Sequence, residues 1–199
     1  MVRQKTGFLS ELNINWRKYS QFFTKIQVES KQKLLLIGDV SDQLYILEKG
    51  IIRMGFEKDN KDITVQFFFE NELATSFESF YGASSSKYFL ETMEPCTIYC
   101  LTKKDLDHLH LNEPEIALMS HSIILSRLTS YANQLIEHIS ESPEERFNNL
   151  IAKNPNIFMR VPQRHIATYL GITNVSLSRI KARKISPIMK TATNDLCLG

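Results

Sequence analysis

The stretch VPQRHIATYLGITNVSLSRIKARK, residues 161–184, reads as two short helices joined by a tight turn. The first spans roughly Pro162 to Leu170, with proline in the opening turn, where its missing N–H would have no intrahelical partner anyway. Gly171 follows directly and supplies the left-handed backbone that ends a helix at low cost. Thr173 is placed to cap a second helix running from Asn174 to about Lys184. Ile166, Leu170, Leu177 and Ile180 recur at helical steps, so each helix has one buried stripe, and Ala167 is small where the two must cross. The rest of the second helix, Asn174, Ser176, Ser178, Arg179, Lys181 and Arg183, is basic and rich in hydrogen-bonding groups. Such a pair is either a plain helical hairpin with a solvated basic face or a helix-turn-helix whose second helix enters the DNA major groove.

The distribution of charge favours DNA. Net charge over the 199 residues is only +2. From Ser142 onward, however, nine Lys and Arg stand against Glu144, Glu145 and Asp195, a surplus of six positive charges, while the preceding residues carry 15 basic against 19 acidic side chains. An acidic module joined to a basic one suits a sensor coupled to a nucleic-acid reader. No run of 18 apolar residues and no signal-peptide pattern occurs, so a cytoplasmic protein without membrane contact is expected. Cys96 and Cys100 flank Ile98 in an alternating run and are expected as small buried residues of one strand face, with Cys197 alone in the tail. No metal-ligand spacing, glycine-rich phosphate loop or nucleophile–base set is present, so neither a cofactor nor enzymatic activity is expected.

Ahead of the basic module the periodicity changes twice. The opening to about Gln27 mixes aromatic and polar residues and predicts one or two amphipathic helices, with Trp16 as a packing anchor. From Lys33 to Leu101 the segments 34–37, 43–48, 51–56, 63–69, 88–93 and 97–101 read as strands, separated by Gly38-Asp39, Lys49-Gly50 and the polar tip Lys58-Asp59-Asn60-Lys61. Closely spaced strands without intervening helices predict an antiparallel sandwich or barrel. Thr102 then opens a short helix, with Asp105 three residues on. A long helical pattern follows from about Glu113 to Ser140, and Ile124, Leu128, Tyr131, Leu135 and Ile139 form a narrow stripe suited to pairing with a second copy. Ser142-Pro143-Glu144-Glu145 starts the last module with a capping serine, proline at the first helical position and glutamate at the third. The implied domains are a β-roll over 1–112, a dimerisation helix over 113–141 and a DNA-binding module over 142–199.

This order of parts resembles the Crp–Fnr family of bacterial transcription regulators. In the β-roll the resemblance rests on Gly38, the run QLYILEKGIIR at 43–53 and the helix 102–109; in the last module it rests on Ile166-Ala167, LGIT at 170–173 and LSRI at 177–180. It implies an α+β fold: an antiparallel β-roll of the cyclic-nucleotide-binding jelly-roll type, a long dimerisation helix and a C-terminal helix-turn-helix. After Lys184, residues 185–199 offer at most a fragment of the usual wing, so a reduced or absent wing and a mobile C-terminus are expected. The implied partners are double-stranded DNA, a second copy of the chain and, for an activator, RNA polymerase. Two recognition helices about 34 Å apart would read a near-palindrome.

The departures from that family are informative. Cyclic-nucleotide-binding relatives hold the ribose with a Gly-Glu pair and the cyclic phosphate with an Arg beside Ser or Thr. The matching positions here are Thr75 and Ser76, then Ser86 and Lys87, with Phe77 and Glu78 completing the expected effector pocket. Lys87 offers a point charge without the two-pronged geometry of arginine. No tight cyclic nucleotide binding is therefore expected, and the effector is an unidentified small molecule or none. The five histidines, His108, His110, His121, His138 and His165, show no haem-ligand placement. In the reading helix, an Arg-Glu pair common in relatives is replaced by Asn174 and Val175, while Arg179 keeps the bidentate guanine contact. Asn174 can pair with adenine or phosphate and Val175 can touch a thymine methyl. Gln163, Arg164, Thr173 and Ser176 fall where backbone phosphates are expected. A ligand-binding β-roll that has lost DNA binding is the alternative, but it fits poorly with the retention of Arg179, Lys181, Arg183 and Lys184.

Overall fold

The computed structural model describes residues 16–183. The helices expected before residue 16, the side chain of Trp16, the wing fragment and Cys197 lie outside the described residues. The chain divides into two compact units, with the boundary between Asn133 and Gln134.

The first unit opens with α1 (Trp16–Tyr19) and a single 3-10 turn, Ser20–Phe22. Eight strands follow: β1 (Thr24–Val28), β2 (Lys33–Leu35), β3 (Gln43–Lys49), β4 (Ile52–Lys58), β5 (Lys61–Phe68), β6 (Leu73–Ala74), β7 (Phe89–Thr92) and β8 (Cys96–Thr102). They form two four-stranded sheets, ordered β1-β8-β3-β6 and β2-β7-β4-β5, and every pairing is antiparallel. This is the expected β-roll.

Alternation along β3 explains its two cores. Tyr45 and Leu47 point between the sheets and join Ile52, Met54, Phe68, Leu90 and Ile98. Leu44 and Ile46 point the other way, under α2 (Phe77–Gly82), α3 (Lys103–Asn112) and the first turns of α4 (Pro114–Ser140), where Phe80, Leu106, Leu109 and Ile116 cover them. Fully burying each such side chain is worth about 1.5–3 kcal/mol. At the predicted polar tip, Asp59 and Asn60 both take positive φ, +51° and +57°, the pattern of a tight hairpin turn. At Lys49-Gly50 the glycine is required twice over. Its φ is +108°, and any β-carbon there would collide with the Cys96 sulfur.

Cys96, Ile98 and Cys100 share one buried face of β8, and burial pushes both thiols up to about 11. Residues 24–28, expected as the end of a helix, are instead an edge strand in register from Thr24–Cys100 to Val28–Cys96. There Ile26 and Val28 pack against the sheet core. Strand β6 and helix α2 were not anticipated; each is too short to show a period.

The second unit contains α5 (Pro143–Lys153), α6 (Ile157–Arg160), α7 (Gln163–Tyr169) and α8, helical over 174–183. The capping box at Ser142 is complete. Glu145 N donates to Ser142 Oγ at 3.3 Å and Ser142 N donates to Glu145 Oε2 at 2.7 Å, which holds the Glu145 carboxyl below its usual range. Phe147, Leu150, Ile157, Val161, Ile166, Ala167, Leu170, Leu177 and Ile180 are the buried apolar residues of this unit. Pro162 occupies the N-cap position of α7 with extended ψ of 137°, one place earlier than expected.

Candidate functional site

The turn between α7 and α8 is built as its residues dictate. Ile172 N donates to Ala167 O at 3.0 Å and Gly171 N to Thr168 O at 3.1 Å, with Gly171 at φ +69°. This is the six-to-one and five-to-two bonding of a glycine-terminated helix. Thr173 caps α8: Ser176 N donates to its Oγ1 at 3.2 Å and Leu177 N to its carbonyl at 2.9 Å. Leu177 and Ile180 are buried, and at 100° per residue the opposite side of α8 carries Val175, Ser178 and Arg179, all exposed. Asn174 is exposed at the edge of this face.

The other expected DNA contacts divide. Gln163 and Arg164 are exposed at the start of α7, where Arg164 Nε donates to Nε2 of the buried His165 at 3.1 Å. Thr173 and Ser176 share a contact of 3.1 Å and serve the cap. Lys181 is turned into its own module, with Nζ 4.6 Å from the Phe158 ring centroid, and Arg183 lies 3.7 Å from Glu144 of α5. The reason is angular: position 181 falls near the buried stripe, whereas 178 and 179 do not.

Helix α4 departs from the expected stripe. Ile124 lines an apolar crevice with Leu44, Leu73, Phe77, Tyr81 and Leu106, and Tyr131 is half-buried, which raises its hydroxyl pKa. Arg127 between them donates from Nη2 to Leu73 O at 2.7 Å. Arg127 and the half-buried Tyr131 therefore hold α4 to its own β-roll, while Ile124, 36% exposed, lines the mouth of the crevice. The exposed apolar face is Leu118, Leu125, Leu128, Leu135 and Ile139, between 50% and 78% exposed, with His121 and Ala132 also exposed in the intervening positions. Taken together these seven residues alternate in steps of three and four, a true heptad seam.

The expected effector pocket is filled by hydroxyl groups. Ser76 and Ser86 are buried, with their Oγ atoms 2.7 Å apart; Ser76 Oγ also donates to Glu78 Oε1 at 2.7 Å, while Ser86 Oγ contacts the Tyr88 carbonyl at 2.8 Å. Thr75 Oγ1 lies 3.0 Å from Ser41 Oγ and 3.0 Å from Gln43 O, and Ser79 Oγ accepts from Ser41 N at 2.9 Å. Phe77 is half-buried, and Glu78 and Lys87 are exposed. The buried hydroxyls thus satisfy one another and nearby backbone groups, as buried polar groups must. With no guanidinium to receive a phosphate, these residues do not fit a cyclic nucleotide. Serines 41 and 79 belong to the network although nothing in the sequence singled them out. Among the described residues, no three His, Cys, Asp or Glu side chains are grouped to hold a metal, and no helix is long and apolar enough to cross a membrane.

A β-roll, a long helix and a helix-turn-helix in this order are the fold of the Crp–Fnr regulators. Residues 25–113 match the family model of the cyclic nucleotide-binding domain. Among solved structures, FixK2 from Bradyrhizobium japonicum is similar with a TM-score of 0.72 at 12% identity, over 83% of this chain and 85% of that one. A CooA mutant from Carboxydothermus hydrogenoformans gives 0.69 at 15% identity, over 92% and 86%. The c-di-GMP-responsive regulator CLP of Xanthomonas campestris gives 0.64 at 14% identity, over 86% and 90%. Identities this low establish the shared fold. Comparison with curated protein sequences returned no match.

Proposed function

We propose that the chain is a sequence-specific DNA-binding transcription regulator that acts as a homodimer paired through α4. The observation that carries this reading is the outward face of α8. Arg179 and Val175 stand exposed over a buried Leu177–Ile180 stripe, on a helix whose N-terminus is held by the Thr173 cap. Arg179 would pair with guanine through O6 and N7, and Val175 would contact a thymine methyl. Gln163 and Arg164 would bind phosphate and set the register. Lys181 and Arg183 contribute positive field rather than base contacts. The exposed seam on α4 supports pairing with a second copy, and two recognition helices would then fall about 34 Å apart. The β-roll senses a small molecule other than a cyclic nucleotide, or none.

Binding of purified protein to its selected operator and to random duplex tests the assignment. Arg179→Ala should cost about 1–3 kcal/mol at the operator and relax selectivity there. Arg164→Ala should weaken binding to every sequence alike and flatten the salt dependence. Equal losses on operator and random DNA in both variants would overturn these roles.

A further inference from the structure

The Arg146 guanidinium joins the ends of two helices. Its Nη1 donates to the carbonyls of Glu141 at 2.5 Å and His138 at 3.4 Å, at the C-terminal end of α4, and Nη2 donates to Leu170 O at 3.0 Å, at the C-terminal end of α7. Both ends carry carbonyls without intrahelical partners and the negative pole of a helix dipole. One planar cation therefore ties the last turn of α4 to the residue before Gly171, where the helix-turn-helix bends. All of these groups belong to the second unit. Asn149 and Lys153 also reach the end of α4, through Glu141 (2.9 and 3.1 Å) and Glu137 (3.3 Å), but neither is seen to reach the turn. Arg146 Nε is buried without a partner, so the guanidinium sits where the two helix ends need it and forgoes one of its own bonds.

We propose that Arg146 is a positioning residue that sets the half-site spacing this protein accepts. The inference rests on the dimeric DNA-binding reading above. In a two-fold dimer paired through α4, the separation of the recognition helices depends on how each helix-turn-helix is fixed to the end of its own α4. The base contacts of α8 do not depend on it. Arg146 makes no contact through the outward face of α8, so its loss should leave half-site preference alone and widen the range of tolerated spacings. Lysine keeps the charge but cannot span two helix ends with one ammonium.

The test measures binding of the full chain, at one salt concentration, to a series of two-fold sites. These carry the selected half-site with the central spacer lengthened or shortened by single base pairs. The wild-type protein should prefer one spacer by about tenfold or more, roughly 1.4 kcal/mol. Arg146→Met and Arg146→Lys should both reduce that preference to about threefold or less, with the half-site base preference and the dimer mass unchanged. If the methionine variant fails to fold, the lysine variant carries the test, since it retains the cation. A wild-type spacing profile in a folded variant, whatever its affinity, would overturn the proposal. A wild-type protein that is monomeric, or that binds no two-fold site, would overturn the dimeric reading and this proposal with it.

Discussion

At Ser76 and Ser86 buried hydroxyls form a closed polar core, with the exposed Lys87 beside it. Each buried hydroxyl already has a partner within 3.0 Å, and Lys87 points its charge at solvent. An entering cyclic phosphate would have to separate these pairs, at about 1–3 kcal/mol for each group left unsatisfied, without an arginine to repay it. Calorimetric titration with cyclic AMP and cyclic GMP should show no saturable heat, and a dissociation constant in the micromolar range or tighter would overturn that expectation. That positions 75–76 and 86–87 carry neither a Gly-Glu nor an Arg-Ser pair was legible from the sequence. The closed network was not, because Ser41 and Ser79 are 38 residues apart and meet only in the fold. In the reading helix the same limit applied to Lys181. Its charge was plain, but its seat against Phe158 required the packing of a second helix.

On the long helix the expected stripe and the exposed apolar face share Leu128, Leu135 and Ile139. A stripe taken at steps of four, three, four and four includes the half-buried Tyr131 and Ile124, which is 36% exposed and also lines a crevice of the β-roll. The exposed side keeps the strict seven-residue repeat through Leu118, Leu125, Leu128, Leu135 and Ile139. The double variant Leu128→Glu with Leu135→Glu should therefore weaken dimerisation by at least about a thousandfold, since four leucines per dimer lose their burial. Sedimentation equilibrium would detect the resulting monomer, and a persistent dimer would remove α4 as the pairing surface. Elements with several turns or with strong caps, α3, α4, α5, α7 and α8, were legible, as were the strands β2, β3, β4, β5, β7 and β8. The two-residue β6, the one-turn α6 and the edge strand β1 were not, because partners distant in sequence create them and their own residues carry too little period.

Taken as a whole, the molecule joins a β-roll and long helix of net negative charge to a basic helix-turn-helix, and that order of parts was legible in the sequence. If the β-roll requires no ligand, binding-site selection from random duplex DNA with the protein alone should recover a two-fold symmetric motif. Enrichment of nothing by a folded, dimeric protein would instead point to a missing effector. The closed hydroxyl core also bears on how single substitutions act in this domain. An acid placed at 76 would remove the hydroxyl that pairs with Ser86 and set a carboxylate beside Glu78, whereas Lys87 is exposed and joins none of these bonds. A change at either buried serine is therefore felt by its partners as well, because these hydroxyls depend on one another for their hydrogen bonds.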